Sequence, residues 1–231
     1  MTRKALRLAR ELERRRSRDR LARYQPYAKQ REFHDAGAEH RERLFIAGNQ
    51  LGKTLAGSFE LAMHLTGRYP DWWRGRRFDT PGRYWAAGET RLSTRDTVQK
   101  LLLGEPEKPE ALGTGAIPGD AILATHRATS VANAIDAVTV AHVAGGASTL
   151  LFKAYEQGRG KWQGDTLQGV WFDEEPPAEI YIEGLTRTSA TGGFVMLTFT
   201  PLKGMSEVVR MFLGEDMLSG AERSGPGRLD R

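Results

Sequence analysis

Cysteine is absent from all 231 residues, which excludes disulfides and thiolate metal centres. No apolar run approaches the ~20 residues that a membrane-spanning helix needs. The start has no charged, apolar and small-residue succession of the kind that directs export, so a secreted protein is not expected. Histidine is scarce, and His34, His40, His64, His126 and His142 fall at no metal-ligand spacing, so they are read as structural or exposed. What remains is an ordinary globular composition, 39% hydrophobic and 27% charged. The length suits one sizeable domain, alone or with appendages.

The charge is unevenly spread. The net value is +5, yet residues 1–23 hold ten Lys/Arg against three Asp/Glu, which leaves the remainder at −2. A basic arm on a near-neutral body points to a polyanion, nucleic acid above all; the alternative is a solvated helix with an arginine bias. Residues 3–23 lack Gly and Pro and predict a charged, mostly exposed helix that Pro26 ends.

The chemistry begins at Ala47-Gly48-Asn49-Gln50-Leu51-Gly52-Lys53-Thr54. It follows the apolar run Leu44-Phe45-Ile46 and precedes a helical pattern from Lys53 to about Thr66, with Leu55, Phe59, Ala62 and Met63 at helical spacing. Strand, small-residue loop and helix form a phosphate-binding loop, in which backbone N–H groups and the helix terminus gather around an anion. Lys53 reaches the terminal phosphates, and Thr54 ligates Mg²⁺. Ala47 stands where the strict pattern has Gly. Upstream, Tyr27 to His34 predicts a short helix with Gln30 and Phe33 on one face, the layout of an adenine-reading element; a surface Gln beside a core Phe is the alternative.

Downstream, Trp72-Trp73 with Arg74, Arg76 and Arg77 reads either as a loop folded back by its aromatics, the preferred reading, or as a nucleic-acid stacking surface. Tyr84 to Ala87 predicts a strand, about Arg91 to Leu103 a helix, and residues 104–120 a long surface loop. Asp136 to Val143 and Ser148 to Tyr155 flank Gly145-Gly146 as a hairpin. Gln157 to Asp165 reads as a flexible basic loop. Val170-Trp171-Phe172 is a buried strand that ends in Asp173-Glu174-Glu175, followed by a helix to about Thr186. Phe194 to Leu197 is another strand, ending in Thr198-Phe199-Thr200-Pro201, and Val208 to Leu213 is an apolar patch.

Two acids after an apolar strand, downstream of a phosphate loop, suit nucleotide hydrolysis. Asp173 assists the metal and Glu174 polarises the attacking water, while an acidic helix start is the alternative. Glu175 is solvated or caps the next helix. Thr198 and Thr200 can reach towards the γ-phosphate or the water, or merely end a strand. Arg159 and Lys161 are candidates for transition-state charge, in cis or on a neighbouring subunit, or else belong to a solvated loop.

These motifs in this order resemble the large terminase subunit of tailed double-stranded-DNA bacteriophages, in its N-terminal ATPase half, from about Tyr27 to Met211. The resemblance is carried by Gln30, by Gly48 to Thr54, by Gly67-Arg68-Tyr69-Pro70-Asp71-Trp72-Trp73, by Trp171 to Glu175 and by Thr198 to Pro201. It implies a Mg²⁺-dependent ATPase that docks as a homo-oligomeric ring on the phage portal protein. There it would work with the small terminase subunit, in the host cytoplasm and apart from any membrane, to push double-stranded DNA into a procapsid. By the same resemblance Gln30 reads adenine, Gly48, Asn49, Gln50, Leu51 and Gly52 line the phosphates with Lys53 and Thr54, and Thr198 and Thr200 form a coupling motif. Many relatives carry Arg at the position of Asn49, and Arg-Gly where this chain has Gln163-Gly164; Arg159 is then the candidate trans-acting arginine. The family continues into a nuclease domain for which nothing after Pro201 is long enough. A truncated form, a split gene or a separately made ATPase is therefore expected, without nuclease activity.

The expected fold is a three-layer α/β P-loop NTPase of the additional-strand class, in which a catalytic Glu follows the metal Asp, with a mostly parallel sheet and an antiparallel hairpin. The expected organisation is a basic helical arm over 1–25, the ATPase domain over 26–213 and a linker or disordered tail over 214–231. Rival readings are another helicase-like translocase and a non-hydrolysing DNA-binding remnant.

Overall fold

The structure, a computed structural model, describes residues 5–7, 11, 13, 18–48, 51–200 and 206–212. Its centre is a seven-stranded sheet of β1 (Glu42–Ile46), β2 (Arg83–Gly88), β3 (Ile122–Arg127), β4 (Ile135–Ala141), β5 (Ala147–Ala154), β6 (Gly169–Asp173) and β7 (Phe194–Phe199). The strands lie in the order β1-β7-β6-β2-β5-β4-β3. Every pairing from β1 to β5 is parallel, whereas β4 runs antiparallel to both β5 and β3. β7, the last strand among the described residues, is thus inserted between β1 and the acidic strand β6, the arrangement expected of the additional-strand class.

Parallel strands are covered on both faces and read as continuous apolar runs. β6 and β7 are buried throughout. One face carries Tyr84, Ala86, Trp171, Phe194 and Met196 against helix α2 (Lys53–Thr66), the other Trp85, Val170, Phe172, Val195 and Leu197 against α5 (Ala178–Ser189) and α6 (Glu207–Phe212). The short α1 (Ala28–Asp35) packs beside α2. A further helical rod starts as α3 (Arg91–Thr94), passes through a π-helical turn over Arg95–Gln99 and ends as α4 (Lys100–Leu103). It lies on the α2 side, with Val98, Leu102 and Leu103 in that core. Gly67 stops α2 at φ 69°, where its N–H bonds the Met63 carbonyl at 2.8 Å.

Several loop expectations are corrected by burial. Residues 18–24 do not continue a helix: Leu21–Arg23 is a 3-10 turn, with Leu21 buried and Tyr24 stacked 4.1 Å from Phe59. The segment after Leu103 is not a surface loop throughout, because Ala116, Ile117 and Ala121 are fully buried. Ile122–Arg127 forms an edge strand that its half-exposed pattern concealed, with register shifts of the kind that blunt an edge. The basic loop is anchored by Trp162, fully buried and edge-on to Trp85 at 5.4 Å. The aromatic loop folds back as preferred: Trp73 is buried, Arg31 lies over Trp72, Arg76 over Phe78 and Arg77 over Tyr69. His34 and His64 are buried structural residues, both paired with Glu60.

Candidate active site

In a parallel sheet the loops after the strands share one edge, and ligands bind there. β1, β7 and β6 bring three of the predicted motifs to that edge. Asn49 and Gln50 lie outside the described residues, as does Pro201. Leu51 and Gly48 are exposed. Gly52 caps α2 at φ 74°, a left-handed value open to glycine. A side chain there would also collide with Gln30, whose Nε2 stands 2.7 Å from the position of a Cβ.

Gln30 is buried and ties two helix starts together. Its Oε1 accepts from the Tyr27 backbone N–H at 2.9 Å, and its Nε2 donates to the Gly52 carbonyl at 2.8 Å. The Lys53 ammonium donates to the Gly48 carbonyl at 2.9 Å and to Thr200 Oγ1 at 3.0 Å. Thr200 in turn donates to the Ala47 carbonyl at 3.3 Å. The lysine of the loop is therefore held by the end of β7.

The same strand end holds the first acid. Asp173 and Thr198 are direct register partners, and the Thr198 hydroxyl donates to Asp173 Oδ1 at 2.8 Å. Asp173 is almost fully buried. Burial pushes its carboxyl up to about 7, against hydrogen bonds from Thr198 and Thr54 that hold it down; the neighbouring Glu174 adds to the rise and Lys53 opposes it. Thr54 and Asp173, the two residues expected at the metal, thus lie at the same edge of the sheet.

Glu174 sits at φ 66°, rare for a residue of its size and a conformation that concentrates at functional sites. Its N–H donates to the Thr198 carbonyl at 3.0 Å. Desolvation raises its carboxyl, Lys53 lowers it and Glu89 raises it further. The turn is pinned from behind by Tyr155, whose hydroxyl lies 2.8 Å from the carbonyls of both Asp173 and Glu174. Sequence reasoning missed Tyr155, which it placed only as the end of a hairpin strand. That position, at the sheet edge where ligands bind, was the available signal.

Arg159 is not gathered with the loop. It lies in a 3-10 turn and pairs with Glu183 of α5 at 3.3 Å, its side chain 54% exposed. Lys161 is exposed, and its carbonyl accepts from Lys153 at 2.7 Å.

A family model described as the terminase large subunit, T4likevirus-type, N-terminal, matches residues 44–223, which include the loop, the acidic pair and the end of β7. The chain belongs to the terminase large-subunit family. It is 48% identical to the terminase large subunit of Salmonella phage P22 over 210 residues, which cover 84% of this chain and 42% of that protein. It is 29% identical over 213 residues to the terminase large subunit of Enterobacteria phage LP7, covering 84% of this chain and 43% of that one. The chain thus spans less than half the length of these curated relatives. Among solved structures it is similar to the large terminase of a thermophilic bacteriophage, determined in complex with ADP. The TM-score is 0.52 at 14% identity, over 88% of this chain and 51% of that one, a likeness of fold. The mostly parallel terminase-type sheet accords with that expected from sequence.

Proposed function

We propose that this terminase large-subunit chain binds ATP at the β1–β7–β6 edge and hydrolyses it, and that the turnover drives double-stranded DNA into a procapsid. The observation that carries the reading is the end of β7: Thr200 holds the loop lysine while Thr198 holds Asp173, so one strand joins the phosphate side and the acidic side of the site.

In this reading Gly48, Asn49, Gln50, Leu51 and Gly52 surround the phosphates, and Lys53 exchanges its Gly48 and Thr200 partners for phosphate oxygens. Gln30 keeps one amide hydrogen and one carbonyl lone pair beyond its two bonds, the pair that an adenine edge uses. Thr54 and Asp173 offer the oxygen ligands that suit Mg²⁺, which when bound neutralises charge on the phosphates. Glu174 accepts a proton from water as the water oxygen bonds the γ-phosphorus and the bond to the β,γ-bridging oxygen breaks, releasing ADP and phosphate. Desolvation raises its carboxyl, which makes it a better proton acceptor than a solvated glutamate. Thr198 and Thr200 couple the two sides, and Arg159 is the arginine offered to a neighbouring subunit.

The partners of this reading are double-stranded DNA, the portal protein, the small terminase subunit and further copies in a ring, in the host cytoplasm. Among the described residues no helix is long and apolar enough to cross a membrane. The ten Lys/Arg of residues 1–23 supply a polyanion-binding arm. Phosphate release at steady state, with DNA and portal present, tests the reading: Lys53→Ala and Glu174→Gln each abolish it. Turnover that survives Glu174→Gln overturns the assignment of the base, and a wild type without turnover favours a non-hydrolysing remnant.

A further inference from the structure

Behind the acidic pair lies a buried hydrogen-bond relay that the hydrolysis scheme does not use. The Trp171 indole Nε1 donates to Thr198 Oγ1 at 2.8 Å, and Thr198 Oγ1 donates to Asp173 Oδ1 at 2.8 Å. We propose that Trp171 is a positioning residue for the acidic pair, acting through the Thr198 hydroxyl; the proposal rests on the reading of this edge as an ATP-hydrolysing site.

With Asp173 ionised, donor and acceptor counting sets the direction of the relay. A hydroxyl has one hydrogen and two lone pairs, whereas an indole N–H can only donate. Once Trp171 occupies a lone pair of Thr198, the hydroxyl hydrogen is left for another acceptor, and Asp173 Oδ1 is the one in reach. Trp171 and Thr198 are fully buried and Asp173 is 4% exposed, so bulk water does not replace either bond. Alternation along β6 puts Trp171 and Asp173 on the same face, and the register places Thr198 opposite Asp173. The pleat of the sheet thus builds the relay.

The indole is itself held in place. A Cβ added at Gly57 would lie 2.5 Å from both Trp171 Nε1 and Cε2, so α2 approaches the ring edge as closely as a glycine permits. α2 is also the helix that begins with Lys53 and Thr54. The phosphate-loop helix therefore sets the indole, the indole sets the Thr198 hydrogen, and that hydrogen fixes which oxygen of Asp173 faces β7. A buried indole often finds a hydrogen-bond partner for its own sake. What distinguishes positioning is that its effect passes entirely through Thr198.

The test is a double-mutant cycle on ATP turnover, using Trp171→Phe, Thr198→Val and the pair. Loss of one well-placed hydrogen bond in the relay lowers kcat about tenfold in Trp171→Phe, with KM for ATP within about twofold of wild type. The double variant is then no slower than Thr198→Val alone. To separate this from a packing defect, Trp171 is also replaced by β-(3-benzothienyl)alanine, which substitutes sulfur for N–H at nearly unchanged shape; it reproduces the kcat loss with native circular dichroism and nucleotide affinity. Additive losses in the double variant, or wild-type kcat in the benzothienyl protein, overturn the positioning role while leaving the hydrolysis reading intact. A wild type without turnover overturns both.

Discussion

Glu60 is fully buried in the middle of α2 and gathers three basic partners. Its Oε1 accepts from the Arg43 guanidinium, its Oε2 lies 2.6 Å from His34 Nδ1, and His64 Nε2 is 3.5 Å away. Burial alone would raise its carboxyl, but Arg43 and the bonds from His34 and His64 outweigh that and hold it well below the usual carboxylate range. Substituting Gln keeps the shape and removes the charge, leaving Arg43, itself 5% exposed, as an uncompensated buried cation. Breaking a buried pair from one side costs about 3–5 kcal/mol. For a chain of this size that lowers Tm by roughly 10 °C. The control is Asp120→Asn, which breaks the Arg68–Asp120 pair at side-chain exposures of 34% and 69%. An exposed pair is worth about 0–1 kcal/mol, so Tm there moves by no more than roughly 3 °C. Urea unfolding and thermal melts of the three proteins, under conditions where unfolding is reversible, provide the comparison. Equal shifts for the two variants would refute the reasoning. So would a Glu60→Gln/Arg43→Met protein less stable than Glu60→Gln, since removing both charges should recover much of the loss.

The same network gives stability a defined acid limb. Burial lowers His64 from its ordinary value of 6.5, against opposing bonds and charge from Glu60, so the unfolded chain takes up that proton first and stability falls as pH drops below about 6.5. Glu60, depressed from 4.5, adds a second loss below about pH 4.5, and urea midpoints from pH 7.5 to 4 should show this second slope flattened in Glu60→Gln. Gly57→Ala would gain about 1 kcal/mol in an open helix. Here the added methyl meets the Trp171 ring, and a thermal melt should show a net loss of about 1–3 kcal/mol instead. Tyr155→Phe removes the hydroxyl that meets the buried Asp173 carbonyl and the half-buried Glu174 carbonyl, at a cost of about 1–3 kcal/mol, and should lower kcat for ATP more than it raises KM in a steady-state assay.

What could be read from the amino-acid order was whatever short-range grammar encodes. Glycines and a lysine after an apolar run announced the loop, Gly145-Gly146 announced the hairpin, and Asp173-Glu174 stood out because the pair follows an apolar strand downstream of that loop. Helix α2 and strands β6 and β7 were legible from their apolar patterns, to within a residue or two at their ends. The parts that could not be read depend on which strands become neighbours. Trp171 looked like one more core aromatic, and only the insertion of β7 beside β6 gives its N–H a threonine to meet. Nothing in the helical pattern of α2 marks Glu60, whose partners His34 and Arg43 come from α1 and β1. Arg159 was singled out for its charge in a glycine-rich loop, and its pairing with Glu183 follows from how that loop packs on α5. Ile122–Arg127 escaped notice because an edge strand with one wet face lacks the apolar density of its neighbours.

The place of β7 has a mechanical consequence. It is bonded in parallel on both sides, to β1 by the register Glu42↔Val195 through Ile46↔Phe199 and to β6 by Gly169↔Phe194 through Asp173↔Thr198. A load applied along its axis is carried in shear by two ladders at once instead of opening one bond at a time. Its end also touches Lys53 through Thr200 and Asp173 through Thr198. A displacement of that end therefore bears on Lys53 and Asp173 together.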